Sequence, residues 1–368
     1  MNNSIILGNT IIQKLGSWSY SIYLWHWPLV VATYYFSLES NYIYLGIVLS
    51  IILGYLSNKY IEKRKFNNNF SYLICYLKCK PLYIAVAIGT LGSTVFLTNG
   101  FFKYAPTEYQ YLITEAVESP YRDKCHIAKY REPGLSCEYF GAEISWATLG
   151  DSHSTEISYT LAEKLRLKNI GLKEFSFSGC RPSYKESHSF SICAKWYNES
   201  IDYILKDVNI ENIVLSHRFT AMLFNSSTNI YSGTNELEVS EEVIRMTNNL
   251  DELITKMATY KNKVYVYYPI PELSRNIDKL IGSAMNNKES LTNIADISLE
   301  KYKKRNRYII NHFDSTKYPS NVHFINPTDA FCDSEVCYAV KDGIPLYFDD
   351  NHPSMLGATK LIELVISD

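Results

Sequence analysis

Leu149-Gly150-Asp151-Ser152-His153 is the stretch whose reading decides the fold. An apolar segment, Trp146 to Leu149, runs into it, and a helical pattern from Thr155 to Lys168 runs out of it. A strand, a tight turn at a glycine and then a helix open a β–α unit. Outward from there the alternation continues. Leu172 to Phe177, Asn212 to Ser216, Lys263 to Tyr268 and Val322 to Ile325 predict further strands. Val243 to Tyr260, Lys301 to Phe313 and Ser354 to Ile366 predict helices between and after them. Such alternation predicts an α/β fold, three layers deep, with a central parallel sheet between helices. Active sites of these sheets lie at the carboxyl ends of the strands, where this turn falls.

The turn carries chemistry. Ser152 at the start of a helix has backbone N–H groups beside it that suit a developing oxyanion. Taken alone, Asp151 and Ser152 serve equally well as helix caps. A second feature stands at the other end of the domain: Asp349-Asp350-Asn351-His352-Pro353, after the last strand and before the final helix. Asp349 and His352 are three apart, so one loop can set the carboxylate on one ring nitrogen and leave the other to take a proton from a serine. A polar turn satisfying its own backbone is the plainer reading of that loop alone. The two features together predict a nucleophile (Ser152), a base (His352) and a residue that orients the base (Asp349).

The chain has 368 residues, with 36 Lys and Arg against 38 Asp and Glu. Without a basic excess, no nucleic-acid partner is expected. Its first hundred residues hold three long uncharged runs: between Lys14 and Glu39, from Ser40 to Asn58, and from Pro81 to Phe102. Each approaches the roughly 20 apolar residues that a helix needs to cross a bilayer, so three transmembrane helices are expected. Lys59, Lys63, Arg64, Lys65, Lys78 and Lys80 cluster between the second and third runs, which places that loop, and the N-terminus, in the cytoplasm. Everything beyond about Asn99 then lies outside. His26, within the first run, reads as a buried histidine bonded to a neighbouring helix or as a functional group in the membrane.

The cysteines agree with this topology. Cys125 and Cys137, Cys180 and Cys193, and Cys332 and Cys337 form three local pairs in the external segment, and Cys75 and Cys79 fall in the internal one. Disulfides belong to oxidising compartments. Spacing alone leaves 15 pairings open, and a zinc site is the competing use, although no CxxC pair appears. No metal site is expected.

At these residues the chain resembles a known family. GDSH near the domain start and DxxH near its end look like the first and last blocks of SGNH (GDSL-like) hydrolases. The stretch from Leu15 to Pro28 (LGSWSYSIYLWHWP) is similar to a late transmembrane motif of membrane acyltransferase-3 proteins. The whole resembles the carboxyl-terminal part of such a protein fused to a periplasmic SGNH domain. The division expected is 1–65, the last two helices of the acyltransferase-3 domain; 66–80, a cytoplasmic basic loop; 81–102, an additional membrane helix; 103–145, a periplasmic connector; and 146–368, the SGNH domain.

The resemblance implies roles. The amide of Ser152 would be one oxyanion donor, and Gly179 in Phe177-Ser178-Gly179-Cys180-Arg181-Pro182 the candidate second, a disulfide-flanking turn being its other reading. The family's third block usually offers an asparagine, but here Leu215-Ser216-His217-Arg218-Phe219 stands in its place. His217 or Arg218 would then substitute, or Arg218 would form a structural ion pair. His153 would line the pocket or cap the helix. The function implied is an O-acyltransferase, in the first instance O-acetyl, acting on a bacterial surface glycan such as lipopolysaccharide O-antigen. No cofactor would be bound, acetyl-coenzyme A would be the acyl donor to the membrane part, and the inner membrane would be the location. The earlier helices of the full membrane domain would lie on a separate polypeptide, or have been lost by truncation, or precede a numbering that starts at an internal methionine. A membrane-tethered carbohydrate esterase and a non-catalytic remnant are the rival readings.

Overall fold

The computed structural model describes residues 9–35, 41–63, 72, 80–141, 143–187, 189–224 and 239–366. The chain divides into two units, Met1–Ala105 and Pro106–Asp368.

In the first unit the uncharged runs form helices Thr10–Tyr35, Asn41–Ser57 and Lys80–Leu97, the second continued by a π-helical turn, Asn58–Glu62. Helices one and two pack closely because residue 54 is glycine. A Cβ there would lie 2.5 Å from Cγ1 of Ile22. Trp18 meets Tyr55 edge to face beside this contact, with ring centroids 4.9 Å apart. Three membrane spans were expected, and among the described residues only Asn41–Glu62 is long and apolar enough to cross a bilayer by length and composition. Thr10–Tyr35 has the length, but Ser17, Ser19, Tyr20, Ser21, Tyr23, His26 and Pro28 dilute its apolar residues. The apolar part of the third helix, Leu82–Leu97, spans about 24 Å at 1.5 Å per residue, short of a core of about 30 Å. His26 is exposed on its helix rather than buried against a neighbour. The basic loop, apart from Tyr72 and Lys80, and with it Cys75 and Cys79, lies outside the described residues.

Among its described residues the second unit has nine strands: β1 (Glu138–Tyr139), β2 (Glu143–Gly150), β3 (Ile170–Ser176), β4 (Asn212–Ser216), β5 (Lys263–Tyr267), β6 (Ile294–Ser298), β7 (Val322–Ile325), β8 (Val336–Lys341) and β9 (Ile344–Pro345). The main sheet has the order β1-β3-β2-β4-β5-β7. Five of its strands run parallel, and β1 pairs antiparallel with β3. The sheet is therefore mixed, not wholly parallel as expected. Helices cover both faces. Ile157, Leu161 and Ile362 pack with Val214 and Tyr265 on one side, and Trp196, Leu253 and Ile309 with Leu149 and Leu215 on the other. The predicted strands fall within three residues of those observed, because near-continuous apolar runs mark strands buried on both faces.

Two features of this unit went unforeseen. A small antiparallel sheet, β6-β8-β9, stands apart from the main one. The stretch expected to be a connector, 103–145, contributes from residue 106 to the same unit. It supplies β1, the helix Thr107–Glu115 with Leu112 fully buried, and the short helix Arg122–Cys125.

Candidate active site

The site begins where β2 ends. Gly150 pairs with Ser176 of β3 on one side and Ser216 of β4 on the other, so the loops after all three strands leave the sheet side by side. This is the place where strand order reverses, the usual ligand crevice of a doubly wound sheet. Only glycine fits at 150: a Cβ would lie 1.9 Å from the Ser216 carbonyl oxygen. Asp151 then caps the turn Ser152–Ser154. Its Oδ1 accepts from the His153 amide at 2.9 Å and its Oδ2 from the Arg218 amide at 2.9 Å, tying the loops after β2 and β4 together. Burial pushes the Asp151 carboxyl up to about 6, against the two amide hydrogen bonds that favour its charge.

Ser152 Oγ lies 2.8 Å from Nε2 of His352, and Nδ1 of the same ring lies 2.6 Å from Oδ2 of Asp349. The three residues sequence reasoning singled out are thus brought into one hydrogen-bonded line across 200 residues of chain. Oδ1 of Asp349 accepts from the backbone amides of Asn351 (2.9 Å) and His352 (2.7 Å). Burial pushes this carboxyl up, but the hydrogen bond and charge of His352 and the two amides outweigh it and hold it at about 2. An ionised Asp349 accepts the Nδ1 proton, which leaves the Nε2 lone pair to accept from Ser152.

Ser152 opens its turn, so its amide is among those without an intrahelical acceptor. Gly179 lies in the exposed loop after β3 at φ +59°, a left-handed conformation that favours glycine. The three cysteine pairs are disulfides: Cys125–Cys137, Cys180–Cys193 and Cys332–Cys337. The second of these flanks Gly179. Among the described residues no group of three or more His, Cys, Asp or Glu is placed to hold a metal ion.

The residues expected to touch substrate lie elsewhere. His153 is fully buried behind the triad, its Nε2 3.0 Å from Oδ1 of Asn351 and its ring 5.2 Å from that of His352. Burial holds its pKa well below the ordinary imidazole value, so it is neutral and presents no surface to a substrate. His217 is likewise buried, with Nε2 3.1 Å from the Tyr197 hydroxyl, and burial lowers it to about 3. The Arg218 guanidinium is paired with Glu272 at 2.5 Å, which Arg305 also meets at 3.1 Å. Of the two readings of Arg218, the structural ion pair is the one formed, and its backbone amide reaches the nucleophile loop.

Sequence reasoning missed the groups around the base. Phe348 lies parallel to the His352 ring, 5.4 Å away with 9° between planes, and the Arg122 guanidinium sits 5.0 Å from the Phe348 centroid on its face. His126 Nδ1 lies 3.4 Å from Ser176 Oγ, and Ser176 donates to Glu174. Burial and then the charges of Arg122 and His352 lower His126 to about 4. Phe348 and Asn351 adjoin or interrupt the DxxH motif and were findable there. Nothing local marks Arg122 or His126.

A serine, an imidazole and a carboxylate in line at the carboxyl edge of an α/β sheet define an enzyme that handles acyl groups. The chain belongs to the family described as the SGNH domain fused to AT3 domains, whose model matches residues 124–367. No curated protein sequence matches the chain. Among solved structures it is similar to the periplasmic domain of a lipopolysaccharide acetyltransferase from Salmonella ser. Paratyphi A, at 12% identity and a TM-score of 0.46, covering 72% of this chain and 98% of that one. It is also similar to a putative acylhydrolase from Bacteroides fragilis (12%, 0.34, 64% and 90%) and to an acetylxylan esterase from Geobacillus stearothermophilus (12%, 0.35, 62% and 94%).

Proposed function

We propose that the protein is an O-acyltransferase, acetyl being the expected group, that modifies a hydroxyl of a bacterial surface polysaccharide such as lipopolysaccharide O-antigen. The observation that carries this is the line Asp349–His352–Ser152. The family's fusion to AT3 domains, the apolar helix Asn41–Glu62 and three disulfides suited to an oxidising compartment support a catalytic unit in the periplasm, tethered to the inner membrane with the N-terminus cytoplasmic. Acetyl-coenzyme A is the proposed donor, its acyl group carried across the bilayer by membrane helices.

In the first half-reaction Ser152 Oγ attacks the carbonyl carbon of the acyl group presented on the periplasmic side and its proton passes to His352 Nε2. Collapse of the tetrahedral adduct expels the group that carried the acyl across, which takes that proton. In the second half the sugar hydroxyl gives its proton to Nε2 as its oxygen attacks the acyl-serine, and Ser152 leaves reprotonated. The Ser152 and Gly179 amides are the proposed oxyanion donors. Esterase action is the second reading, because Ser152 and His352 are both partly exposed and water is a competent acceptor at the same acyl-serine. The test is ester content of the surface glycan by mass spectrometry in cells carrying the full chain or its Ser152→Ala variant. Esters lost in the variant support transfer, and esters increased support hydrolysis. No change in either direction refutes a catalytic Ser152 and favours the remnant.

A further inference from the structure

A catalytic imidazole must hold its plane as well as its position. The hydrogen bonds of His352 run along its own Nδ1–Nε2 axis, to Asp349 and Ser152, and leave the ring free to tilt about that axis. Packing on its face has to stop this. The ring of His153, 5.2 Å away and steeply inclined to it, supplies one support. The flat support is Phe348, parallel to the imidazole at 5.4 Å.

Phe348 is only half-buried, so it too needs holding. Its backbone amide donates to the His352 carbonyl at 3.2 Å, and its ring face is covered by Arg122. The Arg122 side chain is 13% exposed and is fixed from two ends. Nη1 donates to both oxygens of Glu156, at 2.6 and 2.7 Å, and Nε faces Glu118 at 3.4 Å. Glu156 is fully buried, four residues beyond the nucleophile on the helix Thr155–Arg166. Arg122 itself rides on the short helix Arg122–Cys125, whose last residue is stapled to Cys137.

From these contacts we infer that Arg122 and Phe348 are positioning residues for the general base. The segment before the sheet, through Arg122, clamps Phe348 against His352 and ties that loop to the helix that follows the Ser152 turn. This deepens the proposed function and depends on its triad. Arg122 carries no proton in the reaction. It acts through an aromatic face, which attracts the guanidinium by its quadrupole and stacks on the imidazole. A displacement of about 1 Å at a reacting group costs about a hundredfold in rate, so the loss expected lies between about tenfold and a hundredfold.

The test uses the full chain in detergent and measures the rate at which a fluorophosphonate probe labels Ser152, together with kcat and KM for a chromogenic acetyl ester. Phe348→Leu keeps bulk but loses the flat face and is expected to slow labelling about tenfold or more, lowering kcat with KM unchanged. Phe348→Tyr, which restores the face, is expected to stay within about threefold of the parent. Arg122→Met leaves Glu156 buried and unpaired and can unfold the site, so the double variant Arg122→Met, Glu156→Gln removes both charges together. It is expected to remain folded and slow. Parent rates in the double variant or in Phe348→Leu overturn the inference, as does an equal loss in Phe348→Tyr. Ser152→Ala run beside them separates the two claims: if it keeps full ester turnover, the triad itself fails.

Discussion

Asp349→Asn is the sharpest perturbation of the triad, because it keeps the shape and changes which atoms can donate. Oδ1 of Asp349 accepts from two backbone amides at 2.9 and 2.7 Å, so the asparagine oxygen is expected to stay with them. The amide nitrogen must then face His352 Nδ1, where the carboxylate oxygen stood at 2.6 Å. Two donors cannot face each other, so the ring moves its proton to Nε2, and Nε2 can no longer accept from Ser152. The carboxylate's stabilisation of the transient imidazolium is lost as well. For charge centres about 4 Å apart at an effective dielectric near 20, that is about 4 kcal/mol, or roughly a thousandfold at 1.36 kcal/mol per decade. With the tautomer penalty the expected fall in kcat is about 10³ to 10⁴. Turnover of a chromogenic acetyl ester and labelling of Ser152 by a fluorophosphonate both report it. Asp349→Ala, in which water can take the Nδ1 proton's hydrogen bond, is expected to be no worse than the asparagine. Activity within tenfold of the parent in Asp349→Asn, or a clearly better asparagine than alanine, would refute the tautomer reasoning.

Further outcomes follow from neighbouring residues. Gly150→Ala drives a Cβ to within 1.9 Å of the Ser216 carbonyl, so a loss of about 3 kcal/mol in chemical denaturation and of most ester turnover is expected. Burial pushes Glu174 up to about 7, against hydrogen bonds from Ser176 and Tyr139. The folded state therefore holds this proton after the unfolded chain has released it near pH 4.5. Glu174 costs stability as pH rises from about 4.5 to 7, on the order of 3 kcal/mol, and Glu174→Gln should flatten that part of the denaturation profile. Replacing Cys180 and Cys193 by serine opens a link across 13 residues and should cost about 3 kcal/mol, with peptide mapping of the parent showing the pair oxidised.

The groups that do the proposed chemistry were legible because their signals are local. LGDSH marks a strand-to-helix turn by composition alone, and DDNHP places a carboxylate and an imidazole within one loop. The strands were legible as apolar runs, and all five expected in the main sheet are there. The edge strand β1 and the sheet β6-β8-β9 were not, since two-residue strands and mixed sequences such as Ile294-Ala295-Asp296-Ile297-Ser298 pair only through distant partners. Membrane spanning was overread. An uncharged run was counted as apolar, although serines, tyrosines, a histidine and a proline thin the helix Thr10–Tyr35.

By itself, then, the order of residues determined the alternating elements, the glycine turn and the two loops that carry Ser152, Asp349 and His352. Those follow from backbone preference and short-range spacing. Only the folded chain decided that His153 and His217 are sealed behind the site, that Arg218 is held by Glu272, and that Arg122 lies over Phe348. Burial and charge pairing depend on which distant segments share a volume, and no stretch of ten residues contains that information.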